Sequence, residues 1–158
     1  MILACDPGLR GAFALLDGAR LEILDMPVRT VSVGSPKRDR DFIDEQRVFA
    51  LLAGHALIGV DRFVVEQVGG VAGQSAPAAF AFGYGFGIVI GAAMAAKVPI
   101  ERVTATVWKK ALRVHSDKRA SRGRASELLP HHADLWPLQK HDGRAEAAMI
   151  ALYAQRHL

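Results

Sequence analysis

The chain has 158 residues, of which 51% are hydrophobic and 23% charged. That length and composition fit one core, read as a single domain over residues 1–158, and exclude a disordered or low-complexity chain. Twenty Lys and Arg against sixteen Asp and Glu leave a net charge of +4, and seven of the basic residues fall between Lys109 and Arg124 beside one acid, Asp117. The excess therefore sits in one sector, which suits a polyanionic partner. A lone cysteine, Cys5, excludes an internal disulfide framework and a thiolate zinc cluster, and points to a reducing compartment. The opening MILACDPG has neither a basic stretch nor a long apolar one, so no signal peptide is expected.

In chain order, Ile2 to Cys5 reads as a buried strand running into the Asp6-Pro7-Gly8 turn. Gly11 to Leu16 and Leu21 to Asp25 form a hairpin about Asp17-Gly18, completing an antiparallel meander. Residues 27–41, with two prolines, Gly34, Ser35 and the mixed charges Lys37 to Asp41, read as an exposed loop. A helix is predicted over about 43–58, ending near Gly59, then a β-branched strand from Arg62 to Val68 with Glu66 near its end.

Val68 to Ala96 carries no charged side chain. A membrane span is one reading of such a run; a buried helix over 77–97, whose glycines admit a sheet or a second subunit, is the preferred one. Val98 to Val103 reads as a strand with Pro99 at its start or edge. Thr104 or Thr106 then opens a short helix to Leu112, Ser116 or Asp117 a second to Leu129, and His141 or Asp142 the last. Strands first, then helices alternating with strands, predict an α/β fold with a mixed sheet and helices on both faces.

The isolated acids carry the chemistry. Asp6 and Glu66 end strands, while Asp142 and Glu146 share one face at the start of the last helix. Each has a bland alternative as turn former, surface ion pair, helix cap or first-turn acid. Together they form a hard oxygen set suited to Mg²⁺ or Mn²⁺, because buried carboxylates need a proton, a base or a cation. Lys109 and Lys110, and the run Lys118, Arg119, Arg122 and Arg124, are the candidate DNA-docking residues, with a solvated helix face as the alternative; Trp108 beside them reads as a core indole, with a stacking platform as the alternative. The six histidines lack zinc spacing, and neither a phosphate-binding loop nor a dinucleotide fingerprint is present.

Asp6-Pro7-Gly8-Leu9-Arg10-Gly11, the strand Phe63-Val64-Val65-Glu66-Gln67, the small-residue helix after it, and Asp142-Gly143-Arg144-Ala145-Glu146-Ala147 resemble the RuvC-type Holliday junction resolvases, particularly the shorter phage-type members. The resemblance spans nearly the whole chain. It implies a ribonuclease-H-like fold with a mixed five-stranded sheet and a homodimer that cuts symmetric strands of a four-way DNA junction. It also implies two Mg²⁺ or Mn²⁺ ions per site, no other cofactor and no membrane, in the cytoplasm of a bacterial or phage-infected cell.

By position, Asp6, Glu66 and Glu146 match three family acids. The two late ligands are usually three residues apart, which would select Gly143; Asp142 is the nearest carboxylate and takes the fourth place, with His141 as the outside candidate. The loop from Gln67 to Ser75 lacks the aromatic wedge often present in the family, leaving Gln74 and Ser75 as its polar contacts to DNA. The alternatives are a related nuclease acting on RNA–DNA hybrids or flaps, and a non-catalytic nucleic-acid-binding module.

Overall fold

The computed structural model describes residues 1–69, 73–115 and 120–158. Strands β1 (Ile2–Asp6), β2 (Ala12–Asp17) and β3 (Arg20–Asp25) form the expected meander, with Gly18 at φ +59° in the hairpin turn. The chain then forms β4 (Val28–Val33), β5 (Arg38–Ile43), α1 (Glu45–Leu57), β6 (Arg62–Gln67), α2 (Ala76–Ala95) and β7 (Ile100–Thr104). Helices α3 (Ala105–Ala111), α4 (Ala120–Leu128) and α5 (Asp142–His157) complete it, with a 3₁₀ turn over Pro130–Leu135. The expected caps Ser116 and Asp117 of α4 lie outside the described residues.

The main sheet has five strands in the order β3-β2-β1-β6-β7. β1 pairs antiparallel with β2 and parallel with β6, so the sheet is mixed, as predicted. β7 lies at the edge, where Pro99 ahead of it costs no ladder bond and its carbonyl accepts from Phe63.

Alternation divides the core between two faces. Leu3, Cys5, Phe13, Phe63 and Val65 face α1 and α2, meeting Val48, Leu52 and Val89. Ala4, Ala12, Ala14 and Val64 face α5, meeting Ala145, Ala148, Met149 and Ala151. Alanines on both sides of that second interface let α5 lie close over β1 and β2, a spacing that matters at the site below.

Two expectations are corrected. Residues 27–41 are not a loop: β4 and β5 pair antiparallel as a two-stranded ribbon separate from the main sheet. Both faces of the ribbon are largely exposed, so no buried side imposed an apolar period that the sequence could show. Nor is α2 a buried helix. Gly85, Val89, Ile90, Ala92 and Ala93 are buried on it, but Phe80, Tyr84 and Met94 are 75%, 46% and 66% exposed, and Cβ atoms at Gly83, Gly87 or Gly91 would meet open space. By length and composition it could cross a membrane; in the fold its inner side packs on the sheet.

Candidate active site

The sheet sets the first two acids. The parallel register pairs Cys5 with Val65, so Asp6 and Glu66 stand side by side at the C-terminal ends of β1 and β6. Period two puts Asp6 on the face of Ala4 and Glu66 on that of Val64, both toward α5. There the first turns of α5 carry Asp142 and Glu146 one helical turn apart. Asp6, Asp142 and Glu146 line one cavity of about 350 Å³ with Gly8, Arg10, Gly11, Lys109, His115, Ser121 and Gly143.

The turn after Asp6 is built by contact rather than by charge. Gly11 donates to the Gly8 carbonyl at 2.9 Å, and a Cβ at Gly11 would stand 2.0 Å from the Asp6 carbonyl oxygen. A Cβ at Gly143 would stand 2.1 Å from the Arg10 carbonyl oxygen. Both glycines are obligatory for α5 to seat on the Asp6 turn.

Each acid has a distinct environment. Asp6 receives the Gly8 backbone N–H and has no cationic hydrogen-bond partner among the described residues. Burial, then the neighbouring Glu146 and Glu66, push its carboxyl up to about 7. Glu66 is also raised by burial, against a 2.8 Å hydrogen bond donated by the indole Nε1 of fully buried Trp108. Glu146 accepts from Lys109 Nζ at 2.9 Å and from the buried Ser121 hydroxyl at 2.8 Å, both on Oε1. Asp142 is 41% exposed in its side chain and takes Arg122 Nε at 2.6 Å.

Among the described residues, no three acids or histidines are already gathered closely enough to hold an ion. The donor chemistry nevertheless fits a hard divalent cation. Asp6, Asp142 and Glu146 line one cavity with Glu66 beside Asp6 on the neighbouring strand, the most buried of them has no cation hydrogen-bonded to it among the described residues, and Lys109 and Arg122 hold Glu146 and Asp142 as removable counter-ions. His141 is not brought to this cavity; it lines a neighbouring one with Asp25, Lys140 and Arg144, where its Nδ1 accepts from Leu138 N–H. Arg144 grips Asp25 at 2.6 and 2.5 Å, tying α5 to the end of β3.

The predicted DNA-docking residues divide. Lys109 and Arg122 are engaged with site acids, while Arg124 bonds the Leu112 carbonyl and Glu127. Lys110 is exposed, and Lys118 and Arg119 lie outside the described residues. Ser75 caps α2 by accepting from Ala78 at 3.4 Å. Gln74 lines an apolar cavity beside the Asp6 turn, with its Oε1 buried and without a partner among the described residues. Sequence reasoning missed Ser121 and His115. Ser121 sat inside the basic run, where only its complete burial distinguishes it.

No protein-family model and no curated protein matches the chain. Solved structures do, two RuvC structures among them. Thermus thermophilus RuvC in complex with Holliday junction substrate aligns with TM-score 0.63 at 18% identity, over 99% of this chain and 95% of that one. A second Thermus thermophilus RuvC structure aligns with TM-score 0.56 at 16% identity, over 98% and 94%. The α/β chain, with its five-stranded mixed sheet and acids at the ends of neighbouring strands, thus has a RuvC-like, ribonuclease-H-like fold.

Proposed function

We propose that this protein is a metal-dependent, structure-selective DNA endonuclease that resolves four-way junctions by paired symmetric nicks. The observation carrying the reading is the convergence of Asp6, Glu66 and Glu146, on three different elements, around one carboxyl held near neutral pH by burial and by the other two. Ordinary surface acids are not concentrated in this way, and perturbed carboxylates at a cleft mark chemistry. The likeness to a RuvC bound to a Holliday junction substrate adds the substrate class.

Asp6, Glu66, Asp142 and Glu146 would hold Mg²⁺ or Mn²⁺. When bound, such ions supply Lewis acidity toward the phosphoryl oxygens and the leaving 3′ oxygen. The rest is done by the protein. Trp108 fixes the Glu66 carboxylate and Ser121 that of Glu146, so neither must reorganise when substrate arrives. Lys109, released from Glu146, places a positive charge at the cavity mouth where a phosphodiester enters. Gly8 and Gly11, joined by a backbone bond, keep the Asp6 turn compact where it walls the cavity beside Arg10.

Paired cuts require two sites related by symmetry. Phe80, Gly83, Tyr84, Gly87, Gly91 and Met94 recur at helical spacing along the exposed side of α2, and Phe80 stacks on Tyr84 at 6.3 Å. That stripe is our candidate homodimer seam, in an intracellular protein with DNA as its partner. The test is strand cleavage of a labelled four-way junction in Mg²⁺ or Mn²⁺. Asp6→Asn and Glu146→Gln should abolish cutting while preserving junction binding; undiminished cutting by either variant would remove that acid from the site.

A further inference from the structure

The β4–β5 ribbon plays no part in the site described above, yet its charges are sorted in an unusual way. Cross-strand pairing gives Val28–Ile43, Thr30–Asp41 and Ser32–Asp39 on one face, and Arg29–Phe42, Val31–Arg40 and Val33–Arg38 on the other. Acids and cations thus lie on opposite faces. On the acidic face each carboxylate is taken by the hydroxyl opposite it: Thr30 donates to Asp41 at 2.7 Å and Ser32 donates to Asp39.

On the other face, Arg29 at the root is neutralised by Glu45, which it meets through two 3.2 Å bonds and which Tyr84 also engages. Lys37 beside the turn, Arg38 and Arg40 have no acid within 4.0 Å among the described residues. A ribbon whose cations stood opposite acids across its strands would neutralise itself. This one spends hydroxyls on the acids and leaves three cations clear.

Its placement adds direction. Asp25, at the end of β3, pairs with Ala12, which pairs with Asp6. The ribbon therefore leaves the sheet at the catalytic end, only three residues after Asp25, and is anchored where buried Ile43 packs against Gly85 of α2. Six-residue strands extend about 20 Å, more than half a turn of duplex DNA, and a two-stranded ribbon is narrow enough to follow a DNA groove.

We propose that the cationic face of the β4–β5 ribbon, carrying Arg38 and Arg40, together with Lys37 at its turn, is a second nucleic-acid contact that lies along the phosphates of a duplex arm leaving the cleavage site. This rests on the nuclease reading for its substrate. The ribbon supplies position and affinity, not chemistry, since phosphate contacts hold register without reading sequence.

The test is equilibrium binding of a labelled immobile four-way junction, in chelator, across a salt series. The proteins are the parent, Lys37→Ala/Arg38→Ala/Arg40→Ala, and Arg20→Ala/Arg156→Ala, which removes cations at the far end of the sheet. Each phosphate contact contributes about 0.9 to the slope of log affinity against log salt, so the ribbon variant should be shallower by roughly 2 to 3 while the far-end variant keeps the parent slope. An unchanged slope in the ribbon variant, or an equal loss in the far-end variant, overturns the proposal. So does a change of mass by light scattering, which would make the ribbon a contact between copies. Junction binding by the parent without cutting in Mg²⁺ or Mn²⁺, with the slope change intact, would sink the resolvase reading and leave the ribbon contact standing; no DNA binding by the parent would sink both.

Discussion

Gly143 sits directly on the carbonyl of Arg10, so close that a Cβ there would stand 2.1 Å from its oxygen and 2.7 Å from the Gly11 Cα. A carboxylate at 143, the position favoured by the usual three-residue spacing, has no space in this fold. The neighbouring acid Asp142 lines the cavity instead. Gly143 is thus a packing requirement rather than the mark of a decayed site. Gly143→Ala should destabilise by about 3 kcal/mol or more, since both clashing groups are backbone and can yield only by lifting α5. Denaturant unfolding measures this, and a cost below 1 kcal/mol would show that α5 is not seated so tightly.

Lys109 serves three acids at once. It bonds Glu146 and lowers the proton affinity of both Asp6 and Glu66 through its charge. Lys109→Met should therefore bind Mg²⁺ or Mn²⁺ several-fold more tightly by titration calorimetry, because the ion no longer competes with an ammonium for Glu146. Without metal it should be less stable by about 1 kcal/mol, the scale of a partly exposed pair. Equal or weaker metal binding would mean that Lys109 does not guard the ligand oxygens.

Asp6 makes stability depend on pH. Its carboxyl is pushed from 3.8 to about 7, chiefly by burial, so the folded state binds a proton more tightly than the unfolded chain. That contribution is complete below about pH 4 and is lost as pH rises through 7, at up to about 1.4 kcal/mol per pH unit. In chelator, Asp6→Asn should match the parent near pH 4 and exceed it by a few kcal/mol at pH 8. Parallel stability profiles from pH 4 to 8 would contradict the placement of Asp6.

The exposed stripe of α2 predicts association. Phe80→Glu with Met94→Glu places charges at its two most exposed apolar positions and should convert a dimer to a monomer at micromolar concentration, with the fold retained because neither residue packs in the core. Light scattering decides. A parent that is already monomeric removes α2 as a seam.

Much of this was legible in the sequence, for reasons that differ by element. The meander announced itself through Asp17-Gly18, and β6 through its β-branched run ending in Glu66. Both signals are local. Trp108 was read correctly as core, but its bond to Glu66 spans 42 residues and has no local signature. The ribbon was lost because neither of its faces is buried, and Ser121 because hydroxyl burial depends on what α5 brings over it. The exposure of α2 was missed for the opposite reason: an uncharged stretch looks alike whether a core, a membrane or a second subunit covers it.

The most direct measurement presents the purified protein with a labelled immobile four-way junction, a linear duplex and an RNA–DNA hybrid, each in Mg²⁺, in Mn²⁺ and in chelator. We expect metal-dependent, paired, symmetric nicks in the junction alone. Cleavage confined to the hybrid, or tight junction binding without cutting in either metal, would contradict the account.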